Sequence, residues 1–292
     1  KQAHRTAFST LEDQPLRNTY YLQNKFLLER EEYEYQINIS QNNEVNLQEM
    51  ADALENWFIA EKIQVGNSML AHHKIYQKIK YENGLLPDVL HYIHTRKPTA
   101  LDEPGVASHY YAHMAITQPA EEVYFDRFEK LIKEAGQKLF SISELRDLYR
   151  NALNYCTAKI NQGRFDFARR AFEICRKGLD NNILFENNML TRYTFGNMVA
   201  YAIRSGEYQW AEQFIEKYKQ YLDEKERNSI ANFNLSRVYF EKGDYDNAQK
   251  LLAQFEYDDV LFNLIAKTML LKIYYEQDEY DAFESLVESM RI

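Results

Sequence analysis

Gly206-Glu-Tyr-Gln-Trp-Ala211 is one member of a set. Gly163-Arg-Phe-Asp-Phe-Ala168 precedes it, Gly243-Asp-Tyr-Asp-Asn-Ala248 follows it, and Asp278-Glu-Tyr-Asp-Ala-Phe283 is a worn fourth copy. Each copy sets a small turn residue, then an aromatic two places on. The first three add an alanine three places after that. The intervals of 43, 37 and 35 residues match the period of a helical-repeat solenoid. Two helices approach to about 8–10 Å only where their contacting side chains are small. The alanine is expected to supply that gap, the aromatic to plug the turn, and the glycine to allow a left-handed backbone.

Around this motif the chain divides into repeats at about 144–179, 191–222, 226–255 and 258–292. Asp180 to Asn188 forms an inserted loop. None of the 5 prolines follows Pro119, so helices can run unbroken through the C-terminal half. With only 9 Gly in 292 residues, an all-β or disordered chain is disfavoured. The 23 Tyr and 17 Phe suit helices packed by rings whose polar ends reach water. A net charge of −9 argues against nucleic acid as a partner. No apolar run is long enough to span a membrane, and no leader peptide is visible. Cys156 and Cys175, 19 apart, make neither a zinc site nor a disulfide framework. They read as buried free thiols, consistent with a cytoplasmic protein.

Before the repeats, residues 1 to about 13 read as a poorly ordered lead-in, with a helix starting between Asp13 and Pro15. Helical periodicity runs from Leu16 to Tyr35 and from Leu47 to about Tyr81, with Gly66-Asn-Ser68 breaking or bending the second helix. Ser40 to Glu44 reads as a connection, and Pro87 opens a short helix. Thr95 to Gly105, holding Pro98 and Pro104, reads as a linker between an N-terminal helical region (1–100) and the solenoid (105–292). A helical hairpin without the motif spans Val106 to about Ala135. Ser141-Ile-Ser-Glu144 is a capping box that starts the first clear repeat. The last helix, Ala282 to Ile292, ends apolar, where a solenoid normally has a polar cap, so the natural chain is expected to continue.

The motif resembles the tetratricopeptide repeat. In that family a small residue of the first helix, a turn glycine, an aromatic and an alanine of the second helix pack each pair. Here those places fall to Cys156, Gly163, Phe165 and Ala168; then to Val199, Gly206, Tyr208 and Ala211; then to Ser236, Gly243, Tyr245 and Ala248. In the fourth copy they fall to Leu271, Asp278, Tyr280 and Phe283, which departs at glycine and alanine. The run from Leu145 to Ile292 is similar to uncharacterised bacterial tetratricopeptide-like proteins. The resemblance implies an all-α, right-handed superhelix of helical hairpins whose concave face binds protein.

An asparagine stands nine residues before each turn glycine: Asn154, Asn197 and Asn234. In some tetratricopeptide proteins such a ladder holds an extended peptide. A carboxamide can bond both the N–H and the C=O of a peptide backbone. The competing reading is that these groups bond neighbouring repeats or the helix backbone. Arg150, Thr157, Arg204, Arg237 and Lys272, with Tyr275, fall near the same face and suit an acidic peptide or a C-terminal carboxylate. Equally, each base can pair with a local glutamate.

All 7 histidines precede Pro119. His109 and His113, and His91 and His94, have spacings that could face a metal, but no glutamate lies between them in the protease pattern, and they read as aromatic-like packing residues. No nucleophile elbow, phosphate loop or CxxC occurs. The expectation is a non-catalytic peptide- or protein-binding scaffold without cofactor. The alternatives are an assembly or dimerisation module, or the regulatory arm of a larger enzyme.

Overall fold

A computed structural model describes residues 2–39, 45–134, 136–253 and 260–290, with backbone only at 2–5, 39, 75, 136, 137 and 261. The fold is all-α. Among the described residues the single departure is a bridge between Glu186 and Met189. The chain forms two compact units, Lys1–Tyr155 and Cys156–Ile292.

In the first unit the chain runs through α1 (Gln2–Asp13), α2 (Thr19–Ile39), α3 (Leu47–Ile75), α4 (Leu86–Thr95), α5 (Pro104–Thr117), α6 (Glu122–Glu134), the short α7 (Gly136–Leu139) and most of α8 (Ile142–Asn161). The lead-in is therefore a helix, and Leu11 on it is buried at the end of the core formed by Leu22, Ile59, Ile63, Ile93 and Val106. The next helix starts later than Pro15. Asn18 caps it, its Oδ1 accepting from Tyr21 N at 2.9 Å, a geometry no residue nearer Pro15 supplies. Gly66 sits inside α3 and does not break it, because Leu86 of α4 packs onto the face left by the missing side chain. The helix ends at Ile75, short of Tyr81. Pro87 lies in the first turn of α4 as expected.

Pro98–Asp102 forms a 3-10 turn with Ala100 buried. Beside it, Lys97 Nζ reaches Glu55 at 2.6 Å and Asp52 at 3.3 Å. The stretch between the two prolines is thus packed within the first unit. The capping box is formed in full: Ser141 N donates to Glu144 Oε2 at 3.0 Å and Glu144 N to Ser141 Oγ at 3.3 Å. The Ser40–Glu44 connection, Ala135, the stretch 254–259 and the final two residues lie outside the described residues.

The second unit contains the end of α8, then α9 (Asp166–Asp180), α10 (Arg192–Arg204), α11 (Tyr208–Tyr218), α12 (Arg227–Glu241), α13 (Tyr245–Ala253), α14 (Val260–Glu276) and α15 (Tyr280–Ser289). The four turns share one geometry. Gly163, Gly206, Gly243 and Asp278 have φ of +87°, +75°, +76° and +58°. In each the following N–H reaches back five residues, as from Arg164 N to Lys159 O (3.0 Å) and Glu279 N to Tyr274 O (2.8 Å). This is the paired C-terminal cap that a left-handed residue permits. Asp278 adopts it at some cost, since short polar residues tolerate the left-handed region best after glycine.

The small residues pack as their positions suggest. Cys156, Val199 and Ser236 are fully buried, as are Ala168, Ala211 and Ala248. The aromatic does not always plug the turn. Phe165 is 66% exposed and Tyr280 59%. In the first copy Phe167 is buried instead, its ring flanked by Lys159, Arg164 and Arg170. Phe167 lies one position before Ala168 and so turns inward with it, whereas Phe165 precedes the helix and points outward. The fourth copy, with Phe283 for alanine, leaves no residue of α15 fully buried. The loop Asp180–Asn188 is itself packed: Ile183 and Leu184 are buried, and Phe185 meets Tyr218 and Tyr221 edge-on or tilted. Asn187 and Asn188 both take positive φ, closing the Glu186–Met189 pair.

Candidate functional site

The three asparagines of the ladder are not equivalent. Asn234 is 1% exposed. Its Nδ2 donates to Ile230 O at 2.9 Å, and its Oδ1 accepts from Arg237 Nη1 at 3.2 Å. The carboxamide lies against Gly196 of α10, where an added Cβ would stand 3.6 Å from Oδ1. Arg237 Nη1 also donates to Gly196 O at 3.3 Å. Asn234 thus bonds within α12 and braces Arg237, which makes the bond to α10, and at 1% exposure it is out of a ligand's reach. Glycine on the facing helix leaves room for the buried carboxamide. Asn197, on α10, is exposed. Asn154 is exposed on α8 within the first unit, where Arg150 pairs with Asp147 at 3.0 Å.

Thr157 is committed as well. Its hydroxyl and that of Tyr201 are 2.6 Å apart, which joins the end of α8 to α10. Burial pushes the Tyr201 phenol well above its ordinary range, so it is un-ionised at neutral pH. Tyr201 was missed in the sequence, although it lies four residues after Asn197 and three before Arg204, on one helical stripe.

Arg204 and Arg237 remain. Burial, reinforced by the nearby Arg204 charge, pushes the Arg237 guanidinium down to about 10, with Glu241 opposing the shift. Arg237 is fixed by neutral acceptors, the Gly196 carbonyl and the Asn234 amide, and Arg204 is exposed. The contrast with other arginines is clear. Arg164 is bidentate to Asp166, Arg169 bonds Glu207 and Glu173, and Arg192 meets Glu226 at 3.0 Å. At Arg237 the Arg204 charge acts in the same direction as burial, and Glu241 is the one carboxylate that opposes it.

Lys272 and Tyr275, both exposed on α14, line a hollow of about 380 Å³ with Phe240, Tyr245, Leu271 and Phe283. Thr268 and Glu276 complete its lining.

His109 and His113 do not converge. His109 Nε2 lies 3.3 Å from the Thr19 hydroxyl, while His113 Nδ1 meets Asn67 Oδ1 at 2.9 Å. No group of three or more His, Cys, Asp or Glu among the described residues could hold a metal ion. Cys156 and Cys175 are buried free thiols, and burial pushes the Cys175 thiol far up, which makes it unreactive. Among the described residues no helix is long and apolar enough to cross a membrane. No protein-family model, curated protein or solved structure matches the chain.

Proposed function

We propose that this chain is a non-catalytic scaffold that binds an extended acidic peptide segment along α10, α12 and α14. In this reading the second unit is part of a right-handed, tetratricopeptide-like superhelix, and these helices line its inner face. The observation that carries the reading is Arg237, held by the Gly196 carbonyl and the Asn234 amide and not by a carboxylate, with the exposed Arg204 adding positive charge around it in a chain of net charge −9. Arg237 is pre-positioned by its bonds to Gly196 and Asn234, so little side-chain entropy is lost when an anion arrives. Asn197, exposed on the same stripe of α10 as Arg204, meets the peptide backbone, and Lys272 with Tyr275 extends the surface along α14.

A fluorescein-labelled acidic peptide and its counterpart with Asn and Gln in place of Asp and Glu would test this by anisotropy. The acidic peptide should bind more tightly. Arg204→Glu should weaken it about tenfold or more, with salt acting in the same direction. Equal binding of both peptides, or indifference to Arg204→Glu, would overturn the reading.

Val260, Leu264 and Ile265 on α14 are exposed at 81%, 49% and 39%, and they support assembly as a second reading. Light scattering over a wide concentration range decides it: a constant monomer mass removes this alternative.

A further inference from the structure

The first unit contains a cleft of about 580 Å³ between α4 and α5, closed by the start of α6. Its volume is in the range that holds small organic ligands. Leu86, Leu90 and Met114 form an apolar part, and Tyr110 and Tyr124 an aromatic wall with rings edge to face at 6.3 Å. Of the charged residue types, Glu121 lines it, with no lysine or arginine. His91 and His94 add imidazoles at the α4 side.

Its most informative member is His113, only 5% exposed yet part of the cleft wall. Asn67 Nδ2 donates to the His109 carbonyl at 3.0 Å, which turns Asn67 Oδ1 toward His113. An amide oxygen can only accept, so the proton of His113 must be on Nδ1. Nε2 therefore carries a bare lone pair. The Nδ1 edge faces Asn67, so the opposite edge, with Nε2, is the one left for the cleft. No described protein donor meets it. Burial lowers the basicity of this ring, which keeps it a neutral acceptor at pH 7. Tyr110 is pushed by burial up to about 12 and stays a phenol. The cleft thus offers a fixed acceptor, a carboxylate, electron-rich ring faces and an apolar floor.

We propose that this cleft binds a small organic amine, whose N–H donates to His113 Nε2, whose positive charge faces Glu121 and the tyrosine wall, and whose apolar body lies on Leu86, Leu90 and Met114. A carboxylate ligand would meet Glu121 with no lysine or arginine in the lining to compensate. A neutral alcohol could satisfy His113 but gains nothing from the charge or the rings. A metal ion is excluded by the absence of converging ligands among the described residues. The inference is independent of peptide binding by the second unit.

The test uses the full chain with 2-phenylethylamine, 2-phenylethanol and 3-phenylpropanoate, followed by calorimetry and by NMR of ¹⁵N-labelled histidine. The amine should bind with a Kd on the order of 1 mM, with the alcohol and the carboxylate about tenfold weaker or undetected. Glu121→Gln, an exposed change that leaves folding intact, should weaken the amine about threefold or more. Amine binding should also shift the His113 Nε2 resonance. His113→Phe removes the acceptor and should weaken the amine while sparing the fold better than a smaller residue. Equal affinity for all three probes, no amine binding well above 1 mM, or a silent His113 Nε2 resonance would overturn the proposal.

Discussion

Asn18 Nδ2 donates to Glu144 Oε2 at 2.7 Å, and that same oxygen accepts from the Ser141 N–H and hydroxyl. One carboxylate therefore joins the N-terminal cap of α2 to the capping box of α8, across 126 residues of sequence. Asn18 is 4% exposed and also caps Tyr21 N. Asn18→Ala should cost about 1–3 kcal/mol, since it removes a cap and leaves buried groups unpaired. Asn18→Asp should cost more, by facing Glu144 with a like charge. Urea denaturation followed by circular dichroism checks both. A change in midpoint no larger than that of an exposed control such as Gln48→Ala would contradict the assignment.

The Asn234–Gly196 contact separates the three ladder asparagines. Asn234→Ala should destabilise by about 1–3 kcal/mol, because Asn234 is buried and the part-buried Arg237 loses an acceptor. Asn197→Ala, on the surface, should stay within about 0.5 kcal/mol and affect only peptide affinity. Gly196→Ala meets Asn234 at ordinary contact distance and should be neutral or stabilising by up to about 1 kcal/mol. Gly196→Leu should press Asn234 out of place and destabilise. Thermal denaturation of the four variants gives the ranking.

Two phenylalanines in one motif should behave oppositely. Phe167→Ala removes a fully buried ring and should cost about 3–5 kcal/mol. Phe165→Ala, at 66% exposure, should stay within about 0.5 kcal/mol. Comparable losses from both would restore the turn-plugging role to Phe165.

Acid sensitivity should come in part from the first unit. Burial pushes His109 down to about 4, with Glu144 opposing, and lowers His113. Both are bases whose neutral form is favoured by folding, so the unfolded chain binds more protons below pH 6.5. Their contribution is fully present above about pH 6.5. It falls as the pH drops toward 4, where His109 alone accounts for up to about 3 kcal/mol. His109→Gln should flatten stability against pH between these limits. An unchanged slope would show that another group dominates there.

The turns of the second unit were legible in the residues because their physics is local. A left-handed residue after a helix closes two hydrogen bonds within five positions, and Gly163, Gly206 and Gly243 admit that backbone freely. The Ser141–Glu144 box was legible for the same reason, both partners lying within one helical turn. The lead-in helix α1 was not, since its order comes from Leu11 reaching a core assembled from α2 to α5.

The sequence by itself determined the all-α class, the positions of the repeat turns, the buried alanines and the free cysteines, all set by backbone preference and side-chain size. It could not tell Asn197 from Asn234, or Phe165 from Phe167, because spacing along the chain is the same whether a side chain faces solvent or a neighbouring helix. Only the tertiary structure decided those. Asn234 is enclosed because Gly196, on a different helix, has no side chain, and Arg237 is held because the Gly196 carbonyl lies beside it. Likewise the tautomer of His113 is set because Asn67, 46 residues earlier, takes Nδ1. Burial and tautomer are properties of pairs brought together by packing, and no single position in the chain carries them.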